Sequence, residues 1–120
     1  MEIAVVVIQI VIALGIFNVW VLRFGKATQW RGGSADNMAA EFETYGLPTW
    51  SVTLVGFFKL LFAACLIAGI WVPMLVRPAA IGIAILMLGA VVMHIKVKDP
   101  AKKSLPAFTM LVLSLIVAIA

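Results

Sequence analysis

Charge is scarce in this chain. Of its 120 residues only nine are Lys or Arg and five are Asp or Glu, against 65% hydrophobic residues. A soluble domain carries about a quarter charged residues and about half apolar ones. So little polar surface cannot cover a globule of this size in water, which excludes a soluble enzyme, and the apolar excess excludes a disordered chain. Cysteine is nearly absent too. Cys65 alone permits no intrachain disulfide and no CxxC, so a disulfide scaffold is excluded and the residue reads as an inert mid-membrane thiol. The one histidine, His94, cannot build a tetrahedral zinc site of the usual type or a bis-His haem within one chain. There is no GxSxG, P-loop or dinucleotide fingerprint. Neither metal nor haem is therefore expected. The net charge of +4 does not point to nucleic acid, because the positive residues sit in short segments between apolar runs.

What is abundant is long apolar sequence. Four runs stand out: Ile3 to Leu22, Val52 to Val72, Ala79 to Ile95, and Leu105 to Ala120. About 20 residues of helix cross a bilayer core, and tilt or flanking residues cover a small deficit. Backbone cannot stay unpaired in lipid, and none of the runs alternates with period two, so helices are expected rather than strands. The first run reads as a retained helix. Met1–Glu2 carries no positive charge, and only Arg23 and Lys26 follow where a cleavage site would lie. The expected fold is an all-α integral membrane four-helix bundle, a single domain over residues 1–120. Arg23, Lys26 and Arg31 in the first loop and Lys96, Lys98, Lys102 and Lys103 in the third stand against Arg77 alone in the second. Seven against one puts the first and third loops in the cytoplasm and both termini outside, in a plasma membrane of bacterial inner-membrane type. Trp20 and Trp50 then mark the cytoplasmic interface and Trp71 the outer one.

The first loop, Arg23–Ser51, is long enough to hold structure of its own. Residues Asp36 to Tyr45 read as a short helix, with Ser34 or Asp36 as cap and Gly46 at its C-terminal stop. Met38, Phe42 and Tyr45 form one apolar stripe, which should dock on the bundle mouth or lie in the interface.

Polar residues inside the spans are costly and face the bundle interior. Lys59 lies about 13 Å along its helix from Trp50, on a face with Val52, Gly56 and Ala63, so it should point at neighbouring helices. A packing role and a functional role for it are equally weighted. Antiparallel threading brings Asn18, Arg23, Glu41, Lys59 and His94 towards one cytoplasm-facing mouth, and Tyr45 of the loop helix belongs to the same candidate polar cluster. Glu41 is the expected ion-pair partner of Lys59, which would make the loop helix a lid over a polar pocket. Gln9 is half a turn away from Asn18 in helical phase, so it faces either a second subunit or another helix of the same chain.

These residues also carry a resemblance. Asn18–x–Trp20–x–x–Arg23, Glu41–Phe42–x–x–Tyr45–Gly46–Leu47–Pro48, Gly56–x–x–Lys59, Gly89–Ala90–x–x–x–His94, Lys98–Asp99–Pro100 and Pro106–Ala107 follow one another along nearly the whole chain. The series resembles the DoxX-like membrane proteins, including the branch that contains the acetylcholine-receptor assembly chaperone of animals. The resemblance implies a four-helix membrane bundle. It implies either an accessory subunit of a redox enzyme, as in thiosulfate:quinone oxidoreduction, or an assembly partner of another membrane protein. Three functions stay open from sequence. One is a non-enzymatic accessory or assembly protein, working as a homo-oligomer or with another membrane protein. The second is a binder of a small lipophile such as a quinone or lipid. The third is a small membrane enzyme using Lys59, His94 or Glu41 in acid–base chemistry.

Overall fold

The computed structural model describes residues 2–120, which form helices and turns, with no strand among them. Helix α1 (Ile3–Phe17) continues without a break into a π-helical turn, Asn18–Leu22. The first loop carries the short α2 (Met38–Thr44). Helix α3 (Thr49–Ala68) is followed by turns and a 3₁₀ turn at Pro73–Leu75. Helix α4 (Val76–Lys96) and a second 3₁₀ turn, Ala101–Ser104, lead into α5 (Leu105–Ile119). The four long segments are each long and apolar enough to cross a membrane, and the longest molecular dimension of 41 Å matches a bilayer with its headgroups.

The long helices form a ring: α1 packs on α3 and α5, and α4 packs on the same two. Lipid gives helices no hydrophobic reason to associate, so close packing of small residues has to hold them. Ala13, Gly56, Ala63, Ala79, Ala80, Ala84 and Ala118 are buried between helices, around Ile12, Ile16, Leu66 and Ile83. The face Val52–Gly56–Lys59–Ala63 of α3 is buried along its length, as its spacing indicated.

Several element ends differ from the sequence expectation, each for a local reason. Helix α3 begins at Thr49, because the extended backbone of Pro48 launches it and Ser51 N–H closes on Pro48 O at 3.0 Å. It stops at Gly69, so Ile70 to Val72 are turns despite their apolar character. Pro78 lies inside the first turn of α4, where its missing N–H leaves no intrahelical bond unmade. The cap of α2 is Asn37, not Ser34 or Asp36: its side chain accepts from Ala40 N–H at 2.8 Å.

Helix α2 docks as its stripe required, with Met38, Phe42 and Tyr45 all buried. It ends in a Schellman motif. Leu47 N–H bonds Phe42 O and Gly46 N–H bonds Glu43 O, with Gly46 in the left-handed region at φ 77°. Helix α4 ends the same way, through Asp99 N–H to His94 O and Lys98 N–H to Ile95 O. There the left-handed residue is Lys98, at φ 59°.

Trp20 is a correction, and Gln9 takes one of its two readings, another helix of the same chain. Trp20 is not an interfacial marker but a core residue, seated edge-on against Phe42 at 5.8 Å and held beside Gly56 of α3. Gln9 is fully buried within the chain, and its Nε2 donates to Leu66 O of α3 at 2.8 Å. That carbonyl is in the last turn of α3, where no intrahelical N–H reaches it. Gln9 and Asn18 do lie on opposite faces of α1, but the bundle-facing stripe is Gln9, Ile12, Ala13, Ile16 and Trp20. Asn18 sits half-buried to one side of it.

Candidate functional site

At the lysine-rich end of the bundle, the helices on the ring's diagonal, α1 and α4, stand apart and leave between them a partly open cavity of about 740 Å³. Asn18, Arg23, Glu41, Lys59 and His94, the five residues that sequence threading drew towards one mouth, all line it, as does Tyr45 of the same candidate cluster. The rest of the wall is mostly apolar, with Ile16, Val19, Leu86, Met87, Met93 and Met110 prominent. Arg31 and Trp30 of the first loop close over it. The π-helical turn brings α1 to this wall. Its wider i to i+5 closure, Arg23 N–H to Asn18 O at 2.9 Å, faces Asn18 and Trp20 to the space that α1 and α4 leave between them.

The expected ion pair between Lys59 and Glu41 is not formed. Glu41 is taken by its own loop. Arg31 Nη1 donates to its Oε1 at 3.1 Å, while Gly32 N–H (3.2 Å) and Tyr45 Oη (2.8 Å) donate to its Oε2. Burial first, and then the Glu41 carboxylate beside it, push the Tyr45 hydroxyl well above its ordinary range, so it stays protonated and remains a donor. Arg31 also donates to the carbonyls of Arg23, Phe24 and Lys26, the chain that leaves α1, and so fixes the loop as a roof. Nine residues, Gly32 and Gly33 among them, separate Arg31 from Glu41, and helix periodicity gives no phase across the glycine-bearing part that precedes α2. A buried guanidinium's need for a carboxylate was the available signal.

Lys59 is 8% exposed and has no hydrogen-bond or carboxylate partner among the described residues. Its Nζ faces the Trp20 ring, 5.3 Å from the centroid, so a cation–π contact takes the place of the ion pair. The seat of that ring depends on Gly56, where a methyl group would stand 2.8 Å from two Trp20 ring carbons.

His94 has the carboxylate partner that Lys59 lacks. Its Nδ1 is 2.7 Å from Asp99 Oδ2, and the side chains are 6% and 5% exposed. The Schellman turn at Lys98 folds Asp99 back onto the helix end that carries His94. Burial raises the Asp99 carboxyl. Hydrogen bonds from His94 and the Gly33 N–H, together with the nearby Lys103 charge, outweigh that and hold it below its usual range. Gly33 and Lys103 complete the seam between first and third loops, with Lys103 Nζ donating to Gly33 O at 2.6 Å. The Tyr45 ring stands edge-on to the imidazole at 5.8 Å, and Lys96 donates to Tyr45 O at 2.8 Å. In sequence Asp99 stands among Lys96, Lys98, Lys102 and Lys103. Its pairing follows from the turn, not from charge counting.

The cavity wall thus combines an apolar lining, an unpaired ammonium, four aromatic side chains (Trp20, Trp30, Phe42 and Tyr45) and an imidazole backed by a carboxylate. It could accept an oxygen-bearing head with an apolar body. Its size is in the usual range for small-molecule sites, about 300–1,000 Å³.

The family model described as DoxX-like family matches residues 7–118 of the chain. No curated protein and no solved structure matches it.

Proposed function

The chain belongs to the DoxX-like family, and we propose that it is an integral membrane protein that holds a small lipophile in the cavity beside Lys59. The observation that carries this reading is Lys59 itself: a buried ammonium in an apolar wall, with an aromatic ring but no carboxylate against it. A desolvated charge without a partner is costly, and an oxygen acceptor on a bound molecule offsets that cost. Arg31 and Glu41 satisfy one another, so the lining keeps an excess of positive charge in Lys59 and Arg23. This favours an electron-rich oxygen head, of which a quinone carbonyl is the simplest case.

An accessory role follows naturally. A protein that holds a membrane-soluble molecule at one face of the bilayer is suited to pass it to, or receive it from, a neighbouring membrane protein. The motif likeness to the assembly-chaperone branch fits such a partnership. The seven-to-one distribution of Lys and Arg supports a cytoplasmic mouth for the cavity, with both termini outside.

Gly89 supplies the experiment. It lines the cavity, and a side chain there would meet nothing within 4 Å. Mass spectrometry of protein released gently from its own membrane should find one lipophile retained per chain in the wild type. Gly89→Phe should fill the space and lose that molecule without losing thermal stability. Equal retention by both proteins would place any bound lipid elsewhere and refute the reading.

A further inference from the structure

Two buried titratable side chains of the cavity wall keep a polar atom that the fold does not use. Lys59 Nζ is one, and the other is His94 Nε2, which has no hydrogen-bond partner among the described residues. They differ in kind. Lys59 can only donate. The opposite holds at His94. Asp99 is fixed as an acceptor by the Gly33 N–H and by Lys103, so the proton of a neutral imidazole lies on Nδ1, at 2.7 Å from Asp99 Oδ2. Nε2 then presents a lone pair. The other charged groups around His94 are occupied, since Glu41 is bound by Arg31 and Tyr45 and Lys96 is on Tyr45 O. One cavity therefore offers donors at Lys59 and an acceptor at His94.

We infer that the cavity takes a conjugated hydroxy-carbonyl compound with an apolar tail, its hydroxyl donating to His94 Nε2 and its carbonyl oxygen accepting from Lys59. A 4-hydroxyphenyl ketone and the enol of a 1,3-dicarbonyl are of this class. The inference rests on the reading above that the cavity holds a lipophile, and it narrows the chemistry of the head. A simple ketone leaves Nε2 unused. A carboxylic acid arrives ionised and offers it no proton. A saturated alcohol cannot carry charge across to Lys59. In a conjugated hydroxy-carbonyl the ligand O–H bond breaks, the proton joins Nε2, and the electron pair stays on oxygen. Conjugation spreads that pair to the carbonyl oxygen at Lys59. The imidazolium is held by Asp99, and no other reactant is needed. The neutral hydrogen bond at His94 becomes a charge-assisted one, and the Lys59 ammonium gains a negatively charged acceptor; such bonds are shorter and stronger.

Nonyl 4-hydroxyphenyl ketone and its methyl ether test this with the purified full chain in detergent micelles. The bound hydroxyketone should show the red-shifted phenolate absorption at a pH where it stays neutral in protein-free micelles. It should bind about ten-fold more tightly than the ether. His94→Gln should abolish the absorption band and reduce the preference over the ether, and Asp99→Asn should weaken both. Bound hydroxyketone that remains neutral in the wild type overturns the inference without any variant, as does a phenolate band that survives in His94→Gln. Failure of both probes to bind overturns it as well. In that case a lipophile still retained by the wild type and lost in Gly89→Phe would leave the broader binding reading standing.

Discussion

Arg31 Nη1 lies 3.1 Å from Glu41 Oε1, and that contact decides the character of the cavity. It takes the carboxylate that Lys59 could have used, ties the first loop to the end of α1, and leaves a lone ammonium on the cavity wall. Both side chains are buried, so removing either one strands the other. Arg31→Met or Glu41→Gln alone should lower unfolding stability by ~3–5 kcal/mol, and the double variant by less than the sum. Thermal unfolding in one detergent measures this. Lys59→Met combined with Glu41→Gln should be close to additive, and strong coupling there would mean that Glu41 serves Lys59 after all.

Gly56 sets the position of the Trp20 ring. A methyl group at residue 56 would approach two ring carbons to 2.8 Å, so the ring or α3 must shift. Gly56→Ala should cost about 1–3 kcal/mol, as overpacking does. It should also weaken ligand retention, because Trp20 is the ring against which Lys59 rests. A melting curve equal to that of the wild type would rule out the tight seat.

Asp99 makes the loop seam sensitive to acid. Its folded carboxyl is held below its ordinary value of 3.8. A depressed carboxyl contributes stability that is complete above the unfolded value and is lost as pH falls through the folded one. The melting temperature should therefore carry a decline below about pH 4 that Asp99→Asn lacks, with no contribution from this group to any change above about pH 5. Identical acid limbs for wild type and Asp99→Asn would remove Asp99 from the seam.

Orientation is testable with single cysteines in a Cys65→Ala background, since Cys65 is the one native thiol. Cysteines at Ala35 and Ala101 should react with an impermeant maleimide only after the cells are opened. Labelling of both in intact cells would invert the topology and put the cavity mouth outside.

The span arrangement was legible because lipid imposes it: four apolar runs admit little besides four helices. The stripe Met38–Phe42–Tyr45 and the face Val52–Gly56–Lys59–Ala63 were legible because each lies within one helix, where spacing fixes direction. Relations that cross a loop were not. Arg31 reaches Glu41, and Asp99 reaches His94, through turns whose geometry no periodicity encodes. Sequence left Gln9 between a second subunit and a helix of its own chain for a related reason. Its partner is a carbonyl freed by the end of α3 at Gly69, and the apolar run Ile70–Val72 hides that end from a hydropathy reading. Trp20 was read from its membrane depth, whereas Gly56 gives it a place inside the bundle.

On the proposed reading Lys59 meets a bound lipophile and not a carboxylate of its own chain. A crystal structure of the protein taken from its native membrane in mild detergent distinguishes the two. Elongated non-protein density should fill the cavity between Trp20 and Met110, with its polar end within hydrogen-bonding distance of Lys59 Nζ. Arg31 should still be on Glu41. A cavity holding only isolated water peaks, or Lys59 turned onto Glu41, would contradict it.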